Sequence, residues 1–335
     1  QGYLHSLPKM PTAIPYVTSY YKETWGFCIS QDERDTLEDG EYQVVIDSSL
    51  KDGGLTYGEL LIKGESEEEI FLSTYVCHPS MANNELSGPV VTTYLAKWID
   101  SLKNRRYSYR IIFIPETIGS IAYLSKYLSI MKKNIVAGFV VTCMGDNRSY
   151  SFLPSKYGDT YADKVALFSL ENYQPNFNKY SFLDRGSDER QYCSAGIDLP
   201  VCSIMRTKYG EYPEYHTSLD NMDFISPGGL HGGYDILKKT IEILETNRIY
   251  ITTTLCEPQL GKRGLYDGGG HVSGNITDKV RKILDLLVYA DGVNDLVEIC
   301  KLTNIGYNEL CILASSLESK GLLKVVKEGK SIKLR

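Results

Sequence analysis

The stretch STYVCHPSMANNELSG, residues 73–88, carries an apolar strand-like run into a polar loop and then into the start of a helix. Ile70 to Cys77 reads as a strand, and Val90, Val91, Tyr94, Leu95, Trp98, Ile99 and Leu102 then recur with helical period. His78 stands where the strand runs out, a natural place for an imidazole that binds zinc. An ordinary loop or core histidine is the plain alternative, and the neighbouring segments decide between the two.

Outward from this unit the same grammar repeats. Arg110 to Ile114 reads as a strand, Ser120 to Met131 as a helix and Ile135 to Thr142 as a strand. Ala162 to Leu170 reads as a helix, Leu199 to Ile204 as a strand and Pro227 to Thr246 as a long helix. Such alternation predicts an α/β fold, a mixed and mostly parallel sheet covered by helices. In that architecture ligands bind beyond the carboxyl ends of the strands. His78, Glu116 and the run Cys143 to Asp146 all fall at a strand end.

Before this section, residues 1–66 read as a small β-rich domain, with strands at Tyr42 to Ile46 and Leu55 to Ile62 separated by Asp/Gly turns. After the α/β section, 67–255, a Gly-rich linker is expected over 256–275. Residues 276–335 then read as three amphipathic helices, Thr277 to Tyr289, Val293 to Leu302 and Tyr307 to Lys320. Two short strands follow, Leu322 to Val326 and Ser331 to Leu334, completing the outline of a winged helix. The third helix carries Glu309 and Glu318 against one terminal Lys320, whereas a helix in a major groove needs basic and amide side chains. Packing or self-association is the expected role of this module, and nucleic acid is not an expected partner.

Bulk properties agree. A length of 335 residues exceeds what one core usually holds, and a net charge of -6 disfavours a phosphate-backbone partner. No apolar run approaches the length of a membrane-spanning helix, so a soluble, cytoplasmic protein is expected. The eight cysteines are scattered without a CxxC pair, the usage of buried thiols in a reducing compartment. Because the chain begins at Gln1, it reads as a fragment.

The residues able to bind metal or move protons are His78, Asn84, Glu85, Glu116, Asp146, Asp188, Glu189, His216 and Asp220. A catalytic zinc needs three protein ligands and one open position, and a carboxylate beside the attacking water serves as base. Some of these residues have two readings. Asp188 is a ligand or a helix cap, Glu85 a cap or a group approaching the metal, and Asp220 an orienter of His216 or a turn aspartate. Arg185, Arg190 and Arg206 are surface residues or contacts for a substrate carboxylate.

Five segments together resemble the co-catalytic zinc aminopeptidases, in the order that family has them: HPSMANNELSG, PETIGS, VVTCMGD, SDERQYCSAGIDLP and YHTSLDNMDFI. The whole chain is similar to bacterial aminopeptidase-like proteins associated with polysaccharide biosynthesis, which carry an inserted β-rich domain and a C-terminal winged helix. In that group the catalytic domain begins before the insertion. The resemblance implies a metal-dependent hydrolase of an amide bond, an aminopeptidase or deacylase acting on a small-molecule, peptide or sugar-linked substrate. It matches His78 and His216 to the metal histidines and Glu116 to the general base. Asn84 stands where a bridging Asp is expected, Thr117 where a second Glu is expected, and Cys143 at the position of an Asp ligand. These departures point to one zinc rather than two, with Asp188 the candidate third ligand and Asp146 a possible substitute for Cys143. The alternative is a degenerate peptidase fold acting as a binding or assembly module. A homo-oligomer is compatible with either.

Overall fold

The computed structural model describes residues 2–19, 22–49, 51–266 and 277–326, and the chain divides into two compact units, Gln1–Thr240 and Ile241–Arg335. In the first unit the elements run in the order β1 (Leu4–His5), β2 (Phe27–Cys28), α1 (Gln31–Asp35), β3 (Gly58–Ile62) and β4 (Glu69–Tyr75). There follow α2 (Ser87–Ser101), β5 (Ser108–Ile114), α3 (Ile118–Asn134), β6 (Ile135–Val140), β7 (Tyr150–Leu153) and α4 (Tyr161–Tyr173). Last come β8 (Phe177–Lys179), the short α5 (Glu189–Tyr192), β9 (Val201–Met205) and α6 (Pro227–Thr246). The division between the units falls within α6.

Seven strands form one sheet in the order β3-β5-β4-β6-β9-β7-β8. Strands β5, β4, β6 and β9 run parallel to one another. Strand β3 lies antiparallel on β5, and β7 lies antiparallel on β9 and parallel to β8. The sheet is mixed and mostly parallel.

Strand β4 is central because its sequence, EIFLSTY, tolerates burial on both faces, and all seven residues are buried. Pairing on both edges satisfies its backbone, as buried amides require. Glu69 is the exception in charge. Arg110 on β5 donates to it from two nitrogens, at 2.6 and 3.0 Å, and Asn134 Nδ2 donates at 3.3 Å. Phe71, Ile112, Ile114 and Val140 form one core cluster with Tyr123, Leu124 and Met131 of α3 and Tyr192 of α5. Fully burying such a side chain contributes about 1.5–3 kcal/mol. Helix α2 packs on β4 and β5, and α4 on β6 and β9. The first turn of α2 approaches the strand ends closely, since a Cβ on Gly88 would lie 2.4 Å from the Val141 carbonyl oxygen.

The N-terminal stretch departs from expectation in detail. Tyr42 to Ile46 forms no strand and is exposed throughout, because alternation without a partner face gives a strand nothing to pair with. Leu55 to Ile62 yields only β3, and that strand joins the main sheet.

The second unit contains β10 (Ile249–Thr252), α7 (Asp278–Tyr289), β11 (Asp291–Asp295), α8 (Leu296–Thr303), α9 (Tyr307–Ser319) and β12 (Leu323–Val325). Thr277 caps α7 and Asp295 caps α8 through side-chain oxygens, and Asn304 ends α8 in the left-handed region at φ 56°. The expected helix at Val293 to Leu302 starts later, because Asp291–Asp295 is extended and pairs with β10. Strand β12 also pairs with β10, so the small sheet is ordered β11-β10-β12. The predicted strand Ser331 to Leu334 and residues 267–275 of the Gly-rich linker lie outside the described residues. Among the described residues no helix is long and apolar enough to cross a membrane.

Candidate metal centre

Because β4, β5, β6 and β9 are parallel, the loops that leave them emerge at one edge of the sheet. These loops carry His78 after β4, Glu116 after β5, Cys143 to Asp146 after β6 and Arg206 after β9. Successive residues of a strand point to opposite faces, so Cys77 and His78 would diverge if β4 continued. It stops at Tyr75, and one carboxylate takes hold of both residues. Glu85 accepts from the Cys77 amide and pairs with His78 Nδ1, each at 2.5 Å. This fixes the imidazole and leaves Nε2 to face a ligand, the arrangement by which carboxylates orient metal-bound histidines. Burial pulls the His78 pKa down, but hydrogen bonding to Cys77 and Glu85 outweighs it and raises the value to about 10.

His216 comes from the loop between β9 and α6, 138 positions further along, and its ring centroid lies 4.7 Å from that of His78. Its backbone is held at φ 55°, a left-handed conformation a histidine rarely adopts. Pairing with the N-terminal stretch helps to hold it there. The Tyr16 amide donates to the His216 carbonyl at 2.9 Å, Pro15 bridges Thr217, and the Ser218 amide donates to the Ile14 carbonyl. Tyr215 stacks on His216 at 3.9 Å. Tyr16 stands edge-on to both histidines, at 4.9 Å from His78 and 5.6 Å from His216. His216 Nε2 is buried and makes no hydrogen bond. Burial, then the charge of His78, lowers its pKa to about 4.

Glu116 Oε1 accepts from Ser187 Oγ at 2.9 Å. Burial raises its pKa, with the Ser187 bond and His78 acting against the rise. Asp188 uses one of its oxygens away from the histidines. Its Oδ1 accepts from the Thr117 amide at 2.8 Å and from Ser120 Oγ at 3.0 Å, so it caps α3 from another loop and steadies the turn that carries Glu116. Its Oδ2 is buried without a hydrogen bond, and burial first, then the Glu116 charge, pushes its pKa up to about 7. Glu189 Oε1 accepts from the amides of Gly186 and Ser187 and from Tyr209 Oη, which shapes the same loop. Arg190 binds the Ser187 carbonyl and Thr117 Oγ1.

The remaining candidates are structural. Asp220 does not touch His216. It accepts from the Asn83 and Asn84 amides at 2.6 and 3.0 Å, and so caps the turn that leads into α2. Asp146 accepts from the amides of Arg148 and Thr207, from Thr207 Oγ1 and from Asn83 Nδ2, which uses both its oxygens. It has no capacity left to replace a ligand at Cys143. Asn84 Oδ1 accepts from Tyr75 Oη at 3.1 Å, and Tyr75 also meets Thr142 Oγ1 at 2.6 Å. The buried Cys143 thiol lies in the same network, its pKa pushed up to about 12 by burial. Where the resemblance expects charged ligands of a second ion, this chain has neutral groups bonded to one another. Arg206 is buried over the Tyr150 ring and donates to the Asp146 carbonyl.

Among the described residues, donor atoms within 4.8 Å of one another in a group of three or more belong to Cys77, His78 and Glu116. Asp188 is not in that group. His216 is not in it either, although its ring lies 4.7 Å from that of His78 and its Nε2 is unbonded; the Cys77, His78 and Glu116 donors fit a single small cation. Sequence reasoning had singled out neither Cys77 nor Tyr16. The first was hidden by strand alternation, and the second sits about 60 residues from the nearer histidine in a stretch without any site signal.

Residues 7–247 match the family described as a domain of unknown function (DUF4910), and residues 248–325 match the winged helix-turn-helix family. A protein of Clostridium acetobutylicum named for polysaccharide biosynthesis with an aminopeptidase-like domain is 45% identical over 325 residues, covering 97% of this chain and 74% of its own length. A C. acetobutylicum crystal structure assigned as a peptidase superposes with a TM-score of 0.89 at 43% identity, over 97% of this chain and 73% of its own. A zinc aminopeptidase of Bacillus subtilis aligns at 20% identity with a TM-score of 0.46, over 56% of this chain and 48% of its own, too remote to bear on the site. With most of its first unit matching the one family and most of its second the other, this chain belongs to the DUF4910 family, alongside the aminopeptidase-like polysaccharide biosynthesis protein to which 97% of its length aligns.

Proposed function

We propose that this chain is a metal-dependent hydrolase of an amide bond, an aminopeptidase or deacylase with one zinc ion. The observation that carries the reading is the pairing of the His78 and His216 rings, centroids 4.7 Å apart, where His78 also meets Glu116, with His216 Nε2 buried and unbonded. His78 and His216 would hold the ion. When bound, zinc supplies Lewis acidity toward the scissile carbonyl and lowers the pKa of a water molecule.

The chain's own groups do the rest. Glu85 holds His78 in one tautomer and orientation. Glu116, made more basic by burial, takes the proton of the attacking water and returns it to the amine nitrogen as the carbon–nitrogen bond breaks. Ser187 fixes the Glu116 carboxylate, and Asp188 fixes the turn behind it. The neutral Asn84, Thr142 and Cys143 network supports one ion rather than two. The clostridial relative's name points to a sugar-linked or peptide amide in polysaccharide assembly.

Glu116→Gln tests this. Zinc measured by elemental analysis is expected to stay at wild-type stoichiometry, while turnover of aminoacyl-amide and acyl-sugar substrates falls by about 10²–10⁴-fold. Absence of stoichiometric metal in reconstituted wild-type protein sinks the proposal. Stoichiometric metal with no turnover by the wild type on any substrate favours the binding module instead.

A further inference from the structure

We infer that Cys77 is a thiolate ligand of the same metal, so that the ion is held by one sulfur and two imidazoles with Glu116 beside it. The inference rests on the proposal that a metal binds here, and it extends that proposal to a donor the sequence pattern does not assign. Three observations carry it. The Cys77 sulfur lies within 4.8 Å of a donor nitrogen of His78 and a carboxylate oxygen of Glu116. Adjacent residues do not ordinarily converge, and here the Glu85 carboxylate enforces it by binding the Cys77 amide and the His78 ring together. Asp188, the oxygen donor expected to complete the set, lies outside that group and uses Oδ1 on the Thr117 amide and Ser120.

Chemistry agrees with geometry. Two nitrogens alone make an incomplete zinc site, whereas a third protein ligand leaves one position open, as catalytic zinc requires. Asp146 is saturated, Asp220 caps the turn before α2, and Asn84 and Cys143 are themselves neutral groups held in the Tyr75 and Thr142 network. Cys77 is half-buried and needs only to give its proton to solvent as the metal arrives. A sulfur ligand also sets the choice of metal. Thiolates favour zinc, cadmium and cobalt over magnesium, calcium and manganese.

Cobalt substitution of the whole chain reads the sulfur directly. The wild type is expected to show a thiolate-to-cobalt charge-transfer band that disappears in Cys77→Ser, with zinc affinity reduced by about 100-fold, the upper end of what losing a ligand's supporting partner costs. Cys77→Asp is expected to recover part of the affinity without the band. In a parallel measurement, zinc should slow iodoacetamide alkylation of the Cys77 peptide, followed by mass spectrometry, and leave the exposed Cys256 unaffected. Cobalt bound stoichiometrically with no charge-transfer band, or alkylation of Cys77 indifferent to zinc, overturns the inference and leaves the proposed hydrolase standing. Failure of the wild type to bind any metal overturns both.

Discussion

At the scale of single residues, the centre depends on side chains that act through others. Glu85 is the clearest case, because one carboxylate fixes an amide and an imidazole on adjacent residues. Glu85→Gln keeps the shape and loses the charge that orients His78. Zinc affinity measured by competition with a chelating dye is expected to fall by about 10–100-fold, with the melting temperature of the metal-free protein little changed. Asp188 gives a test in pH. Its folded pKa of about 7 lies above the ordinary 3.8 because burial penalises the charge. The stability tied to its proton is therefore fully present below about pH 4 and lost as pH rises through 7. Between those values the chelated Asp188→Asn protein should lose less stability in urea titrations than the wild type, and equal slopes would refute this account. His78 and Glu116 drew attention because each stands just past a strand end, and His216 because its segment resembles the final histidine segment of the zinc aminopeptidases. Cys77, Tyr16 and the true partner of Asp220 were not, since each owes its role to a neighbour far away in the chain or to a local departure from strand geometry.

At the scale of elements, the β4–loop–α2 unit was readable from periodicity. What periodicity does not reveal is how closely the start of α2 meets the ends of the strands. A Cβ on Gly88 would fall 2.7 Å from Thr74 Oγ1 as well as against the Val141 carbonyl. Gly88→Ala is thus expected to destabilise the fold by about 1–3 kcal/mol through overpacking, and chemical denaturation measures it. The buried pair between β4 and β5 sets a larger penalty. Glu69→Ala would leave Arg110 with Glu59 and Tyr123 but without its two-point partner, at a cost of about 3–5 kcal/mol. A loss below 1 kcal/mol would show that Glu59 compensates. The strand expected at Tyr42 to Ile46 failed for a reason of the same scale, as no strand among the described residues pairs with it and its side chains are exposed.

For the whole molecule, the second unit has the winged-helix outline, and its chemistry argues against a duplex as partner. Lys282 of α7 is paired with Asp278 and Glu309, and α9 offers two glutamates. The full chain should show no salt-dependent binding to duplex DNA between about 50 and 200 mM salt, as read by fluorescence anisotropy. A steep salt slope would reverse that reading. The sequence by itself determined the alternation of strands and helices, the winged-helix outline and the two histidines, because these follow from local periodicity and residue type. Only the tertiary structure decided which groups meet. It joined β3 to the main sheet, placed β10 between β11 and β12, turned Asp220 and Asp188 into caps for distant turns, and set the His216 ring beside that of His78. Such pairings depend on strand order and on hydrogen bonds between loops far apart in sequence, and no local pattern encodes them.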